Sequence, residues 1–232
     1  MLIEICANSY QSALNAQNAG ADRIELCTEL SVGGVTPSLG LLKKVAQEIS
    51  IPVHVLIRPR SGDFCYSDEE FEQMKTDIEI CKKLGFQGIV SGVLNSDNTI
   101  DIIRTKELIE LSNPLSFTFH RAFDCVSNPK ESLEQLIKLG VDRILSSGQE
   151  EKALKGISLL KELKDAASDN IIILPGSGIN STNIDKFKKL GFSEIHTSAS
   201  KRLPSSAFFD KTPKTVSDFE TIKQLVKLAK SE

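Results

Sequence analysis

A closed (β/α)₈ barrel of the TIM type, taking in residues 1–232 as one domain, is the fold class this sequence predicts. Three observations lead to it: short β-rich runs alternate with longer helical patterns, eight such units follow one another, and capping residues punctuate the helical stretches. Alternation of this kind calls for parallel strands joined by helical crossovers. Eight units favour closure over an open sheet, and a chain of 232 residues suits a barrel of up to about 250.

The strands are expected at 2–7, 22–27, 52–58, 87–92, 115–120, 142–147, 170–174 and 193–197, each followed by a helix. Ser9 caps the first helix and Gly20 follows its end. Thr36-Pro37 opens the second, with proline in the first turn. Ser67-Asp68-Glu69-Glu70 forms a capping box for the third. Asn128-Pro129 opens the fifth, Ser181 the seventh, and Ser217-Asp218-Phe219-Glu220 is a second capping box, for the last. Gly85, Gly140 and Gly191 stand where helices three, five and seven should stop. The longest irregular stretch is 203–216. Gly20-Ala-Asp-Arg-Ile-Glu-Leu26 is echoed by Gly140-Val-Asp-Arg-Ile-Leu-Ser146, four units later, where a duplicated half-barrel would place it.

The totals narrow the function. A net charge of −3 makes nucleic acid a poor partner. The apolar runs are too short to cross a bilayer. The first residues, Met-Leu-Ile-Glu-Ile-Cys6, lack a basic start and an apolar core and enter a strand at once, so a cytoplasmic location is expected. Five cysteines, Cys6, Cys27, Cys65, Cys81 and Cys125, are too sparse and odd in number for a disulfide framework. Cys81 sits on a helical stripe with Phe71, Met74 and Ile78, which reads as packing; Cys65 and Cys125 fall in loops.

Strand periodicity then assigns faces. If Ile3, Ile5, Ala7, Ile24, Leu26, Val53, Val55, Ile57, Phe117, Phe119 and Ile195 face the helices, the lumen receives the intervening residues. These are Glu4, Cys6 and Asn8; Arg23, Glu25 and Cys27; His54, Leu56 and Arg58; Thr118 and His120; Glu194 and His196. That lumen is polar, whereas barrel interiors are ordinarily filled by branched apolar residues. Glu4 and Glu25 set against Arg23, Arg58 and Arg143 would make a structural ion network; a functional cavity at the carboxyl ends of the strands is the other reading.

Three groups of residues carry candidate chemistry. Cys6 and Cys27 end neighbouring strands with the same parity, so their thiolates could share a soft ion such as Cu(I). Core filling and a reversible disulfide are the alternatives. Arg58, Arg60 and Arg121 gather cations at one mouth, with His120 as an acid–base group and Asp124 or Glu25 as its partner. The plainer reading has Arg58 and Arg121 clamping acidic residues. Gly176, Ser177 and Gly178 after strand seven and Ser198 after strand eight lie where many barrels bind phosphate. A tight turn would also explain that loop.

Taken together and in order, these stretches resemble the CutC family. The likeness is carried by Glu4-Ile-Cys-Ala-Asn-Ser9, Gly20-Ala-Asp-Arg-Ile-Glu-Leu-Cys27, Gly33-Gly-Val-Thr-Pro-Ser38 and Ile57-Arg-Pro-Arg-Ser-Gly-Asp-Phe64. It continues through Thr118-Phe-His-Arg-Ala-Phe-Asp124, Arg143-Ile-Leu-Ser-Ser-Gly148, Gly176-Ser-Gly-Ile179 and His196-Thr-Ser-Ala199. The resemblance implies a TIM-like barrel, a cytoplasmic role in copper homeostasis, Cu(I) held by the cysteines matching Cys6 and Cys27, and a homo-oligomer, dimer or higher. Two positions depart from the family pattern: Leu56 stands where methionine is frequent, and Ser177 replaces the middle glycine of a triplet. Two functions follow as expectations. One is a Cu(I)-binding protein. The other is an enzyme acting on a small anionic or phosphorylated metabolite, with Arg58, Arg60 and Arg121 binding it, His120 moving a proton and Glu25 sharing that proton.

Overall fold

A computed structural model describes residues 1–204 and 212–231. Eight parallel strands form the barrel: β1 (Leu2–Ala7), β2 (Arg23–Leu26), β3 (Val53–Leu56), β4 (Gly88–Ser91), β5 (Ser116–Phe119), β6 (Arg143–Ser146), β7 (Ile172–Pro175) and β8 (Glu194–Thr197). The hydrogen-bonded order runs β7-β6-β5-β4-β3-β2-β1-β8, and β7 packs beside β8 at the seam. Each expected strand is present, shorter at its ends in most cases.

The helices are α1 (Tyr10–Asn18), α2 (Leu39–Glu48), α3 (Asp68–Lys83), α4 (Ile102–Ser112), α5 (Pro129–Leu139), α6 (Ile157–Ala167), α7 (Ile184–Lys189) and α8 (Phe219–Lys230). Ser9 accepts from the Ser12 N–H, Ser67 and Glu70 form a reciprocal box, and Asn128 accepts from the Glu131 N–H ahead of Pro129. Each such cap satisfies a donor that the first turn cannot, worth about 1 kcal/mol. Three boundaries differ from expectation. Ser38, not Thr36, caps α2, because Pro37 holds an extended approach to it. Asp218, not Ser217, caps α8, since Ser217 belongs to a strand and its hydroxyl donates to the Cys6 carbonyl. Ser181 caps nothing: α7 begins at Ile184 after a turn in which the Asn180 side chain accepts from the Thr182 N–H.

The stretch 203–216 is not wholly irregular. An antiparallel pair, β9 (Ser200–Arg202) with β10 (Thr215–Ser217), lies beside it; 205–211 are outside the described residues. This hairpin explains Asn8. Expected in the lumen, it turns instead to donate to the Thr215 hydroxyl at 2.9 Å.

The parity of the strands holds. The apolar residues of β1, β2, β3, β5 and β8 join one continuous core between sheet and helices. A second, small cluster of Cys6, Cys27, Leu56 and Val90 lies apart from it, inside the barrel. One face of each strand thus packs on helices while the other builds the lumen.

Candidate functional site

The lower lumen is an ion network. Glu4 and Arg23 are register partners, and Arg23 donates to both Glu4 and Glu194. Arg143 donates to the same Glu194 oxygen at 2.9 Å and to the Ser116 hydroxyl. His196 Nδ1 meets Glu4 at 2.8 Å. Burial works against the Glu4 charge, but Arg23 and His196 outweigh it and hold the carboxyl well below the ordinary range. The network corrects the expected one at four residues: Arg58 and Glu25 are outside it, and Glu194 and His196 are inside. Sequence parity had turned both inward, yet only the closure of β8 onto β1, pairing Glu4 with His196, shows whom they meet.

Above this layer a cavity of about 460 Å³ opens at the carboxyl ends of the strands. Such a volume suits a small molecule. Cys6 and Glu25, themselves register partners, form part of its wall with His196. The Cys6 and Cys27 sulfurs are 3.5 Å apart, and Cys6 Sγ lies 3.5 Å from Glu25 Oε1. Cys6, Glu25 and His196 offer donor atoms all within 4.8 Å of one another. The hydrogen bond with Cys27, then burial, hold the Cys6 thiol well above its ordinary value, so it is protonated near neutrality. Burial likewise raises Glu25, whose Oε2 has no partner among the described residues. For His196 burial opposes the charge, but Glu25 and the bond to Glu4 prevail and raise it. Because Glu4 engages Nδ1, Nε2 is the ring nitrogen left to take a ligand, an arrangement shared with histidines that bind metals. His196 was not singled out as a site residue in the sequence; its inward parity beside strand one was the signal for it.

The opposite wall carries the expected arginine and histidine, differently employed. Arg58 donates to the carbonyls of Val32, Gly34 and Gly62, not to an acidic residue. His120 lines the cavity; its Nδ1 accepts from the Ala122 N–H at 3.2 Å, and its Nε2 has no partner among the described residues. Neither Asp124 nor Glu25 bonds to it. Asp124 instead accepts from Arg121, from both Ser146 and Ser147 hydroxyls and from the Gln149 N–H, fixing the loop after β6. Arg121 thus clamps an acidic residue while lining the cavity. Arg60 lies outside it, held by Asp63 and Glu70.

Of the loops after β7 and β8, Ser177, Gly178 and Ser198 reach the cavity. Gly176 does not line it; a side chain there would strike Leu145 at 2.6 Å. Ser177 adopts φ 78°, a conformation that favours glycine, and its hydroxyl donates to the Glu151 carbonyl at 2.7 Å. That hydroxyl proton is therefore committed within the protein.

Among the described residues, no helix is long and apolar enough to cross a membrane. A model of the CutC family matches residues 1–201. The CutC family protein of Proteus mirabilis is 49% identical over 215 residues, covering 93% of this chain and 86% of its own. That of Photorhabdus laumondii is 48% identical with the same coverage, 93% and 86%. The crystal structure of CutC from Streptococcus agalactiae, a protein to which copper homeostasis is ascribed, superposes with a TM-score of 0.81 at 35% identity, over 85% of this chain and 98% of that one. Thiamine phosphate pyrophosphorylase from Pyrococcus furiosus shares the barrel alone, with a TM-score of 0.62 at 16% identity over 98% of this chain and 94% of its own. With the family model covering most of its length and relatives near half identical, this chain belongs to the CutC family.

Proposed function

We propose that the protein serves copper homeostasis by binding Cu(I) through Cys6 and Cys27, with His196, which shares a donor cluster with Cys6, on the cavity side of the ion. The observation that carries this reading is the 3.5 Å separation of two sulfurs, of which that of Cys6 belongs to the wall of an open cavity and that of Cys27 lies buried behind it. At about 2.3 Å per metal–sulfur bond, two sulfurs up to about 4.6 Å apart can share an ion. Thiolates and imidazole suit Cu(I), whereas carboxylates suit harder ions. Glu25 is then better cast as the acceptor of the proton that leaves Cys6 than as a ligand, and it receives that thiol's hydrogen bond already.

The site works in the cytosol, where reduced thiols persist; Cys65 and Cys125 are exposed and unpaired. Ile103, 80% exposed, is apolar surface that contact between subunits of a homo-oligomer would cover. The test is anaerobic titration with Cu(I) against a chromophoric chelator. One ion should bind tightly, and more tightly as pH rises, because thiol protons must leave. Cys6→Ser together with Cys27→Ser should abolish binding; undiminished affinity in that double variant rejects the reading.

A further inference from the structure

The cavity holds a cation that makes no ion pair with a carboxylate among the described residues. Arg58 is 5% exposed, and its terminal N–H groups donate to three backbone carbonyls. Carbonyl oxygens satisfy donors but bring no opposing unit charge, and the Asp63 carboxylate, which feels the Arg58 charge, is bonded to Arg60 instead, so the guanidinium remains a buried positive charge without an ion pair among the described residues. The other arginines of this mouth are already paired: Arg60 with Asp63 and Glu70, Arg121 with Asp124.

Beside Arg58 stands a donor without an acceptor. His120 is 4% exposed and lines the same cavity. Its Nδ1 accepts a backbone hydrogen bond, so the proton of the neutral ring sits on Nε2, the atom that lacks a partner. Burial and the neighbouring Arg58 push its pKa down to about 3, which keeps the ring neutral. Phe64 holds the imidazole in place, with ring centroids 4.8 Å apart. An orphaned buried donor is unfavourable, and a bound acceptor would satisfy it.

The geometry points to a binding site for a small organic carboxylate, held by the charge of Arg58 and the Nε2 proton of His120, with its carbon skeleton against Leu30, Phe64 and Leu145. One guanidinium without an ion pair and one neutral donor match a single carboxylate. A phosphate dianion would bring a second charge and a third oxygen. Arg58 has committed both of its Nη groups to carbonyls and keeps its Nε without a partner among the described residues, so it offers an acceptor less than the full fork that phosphate sites favour. This site goes beyond the copper reading and does not depend on it.

Calorimetric titration of the metal-free protein tests the inference, using acetate, butyrate, pyruvate and benzoate, with inorganic phosphate as the competing case. The variant is His120→Asn, since asparagine can still accept the Ala122 N–H at the start of that turn but does not reach as far. At least one carboxylate should saturate the wild type and bind about tenfold more weakly to the variant. The His120 ring ¹⁵N resonance of the wild type should shift at saturation, a readout independent of whether the variant folds. Failure of all four carboxylates to saturate, equal affinity in wild type and variant, an unmoved His120 resonance or tighter binding of phosphate would each overturn the assignment.

Discussion

Arg23 and Arg143, which hold the same place in two Gly-x-Asp-Arg-Ile stretches, donate to one carboxylate oxygen of Glu194. The preceding aspartates are equivalent too: Asp22 accepts from the Ile3 N–H at 2.9 Å and Asp142 from the Phe117 N–H at 2.7 Å. The repeated stretch therefore does the same work at opposite sides of the barrel. Each aspartate ties its strand to the preceding one, and each arginine points to a shared centre.

The two arginines should not be equally important. Arg23 is the more buried and serves both Glu4 and Glu194, whereas Arg143 serves Glu194 and a hydroxyl. Removing one partner of a buried pair leaves an uncompensated charge and costs about 3–5 kcal/mol. Arg23→Leu should lose about that much in urea denaturation, and Arg143→Leu clearly less. Equal losses would contradict the asymmetry.

Acid sensitivity should trace in part to His54. Burial holds its pKa down to about 4 from an ordinary 6.5. The unfolded chain then takes up a proton that the fold refuses, so this contribution to stability is whole above pH 6.5 and is lost as pH falls toward about 4. His54→Leu should flatten the decline of the urea midpoint over that window, by up to about 1.4 kcal/mol per pH unit. Parallel declines in wild type and variant would show that another group is responsible.

Gly88 is required by that same histidine. A methyl group there would lie 2.4 Å from His54 Cδ2, across the β3–β4 register pair. Gly88→Ala should therefore cost about 1–3 kcal/mol by overpacking. Thermal denaturation should show much of that cost relieved when His54→Ala is added, as expected of side chains in contact.

Leu56 packs inside the barrel with both thiols. Leu56→Met conserves volume, so its effect on stability should stay under about 1.5 kcal/mol. It would place a soft thioether beside the sulfurs, and Cu(I) affinity should rise, roughly tenfold if the thioether adds about 1.4 kcal/mol. Unchanged competition with the chelator would mean that the thioether does not reach the ion.

The barrel was legible because its signals are local. Period-two alternation, caps such as Ser67 with Glu70, and stops such as Gly140 each depend on a few neighbouring residues. The 200–202 and 215–217 pair was not, since strands of three residues are too short to show an alternation, and Ser217 followed it in leaving a helix cap for a strand. Parity brought Cys6 and Cys27 to one side of the sheet, but parity does not rank partners. Cys6 pairs in register with Glu25, and Glu4 with both Arg23 and His196.

By itself, and Asn8 apart, the sequence determined which strand side chains face the axis and how many strands surround it, because both follow from backbone periodicity. Only the tertiary structure decided that Arg58 is held by carbonyls and not by acids, that Asp124 braces a loop instead of His120, and that His196 joins the thiol wall. Those choices depend on distances between strands and loops brought together by closure, and electrostatic and hydrogen-bonding energies vary too steeply with distance for spacing along the chain to settle them.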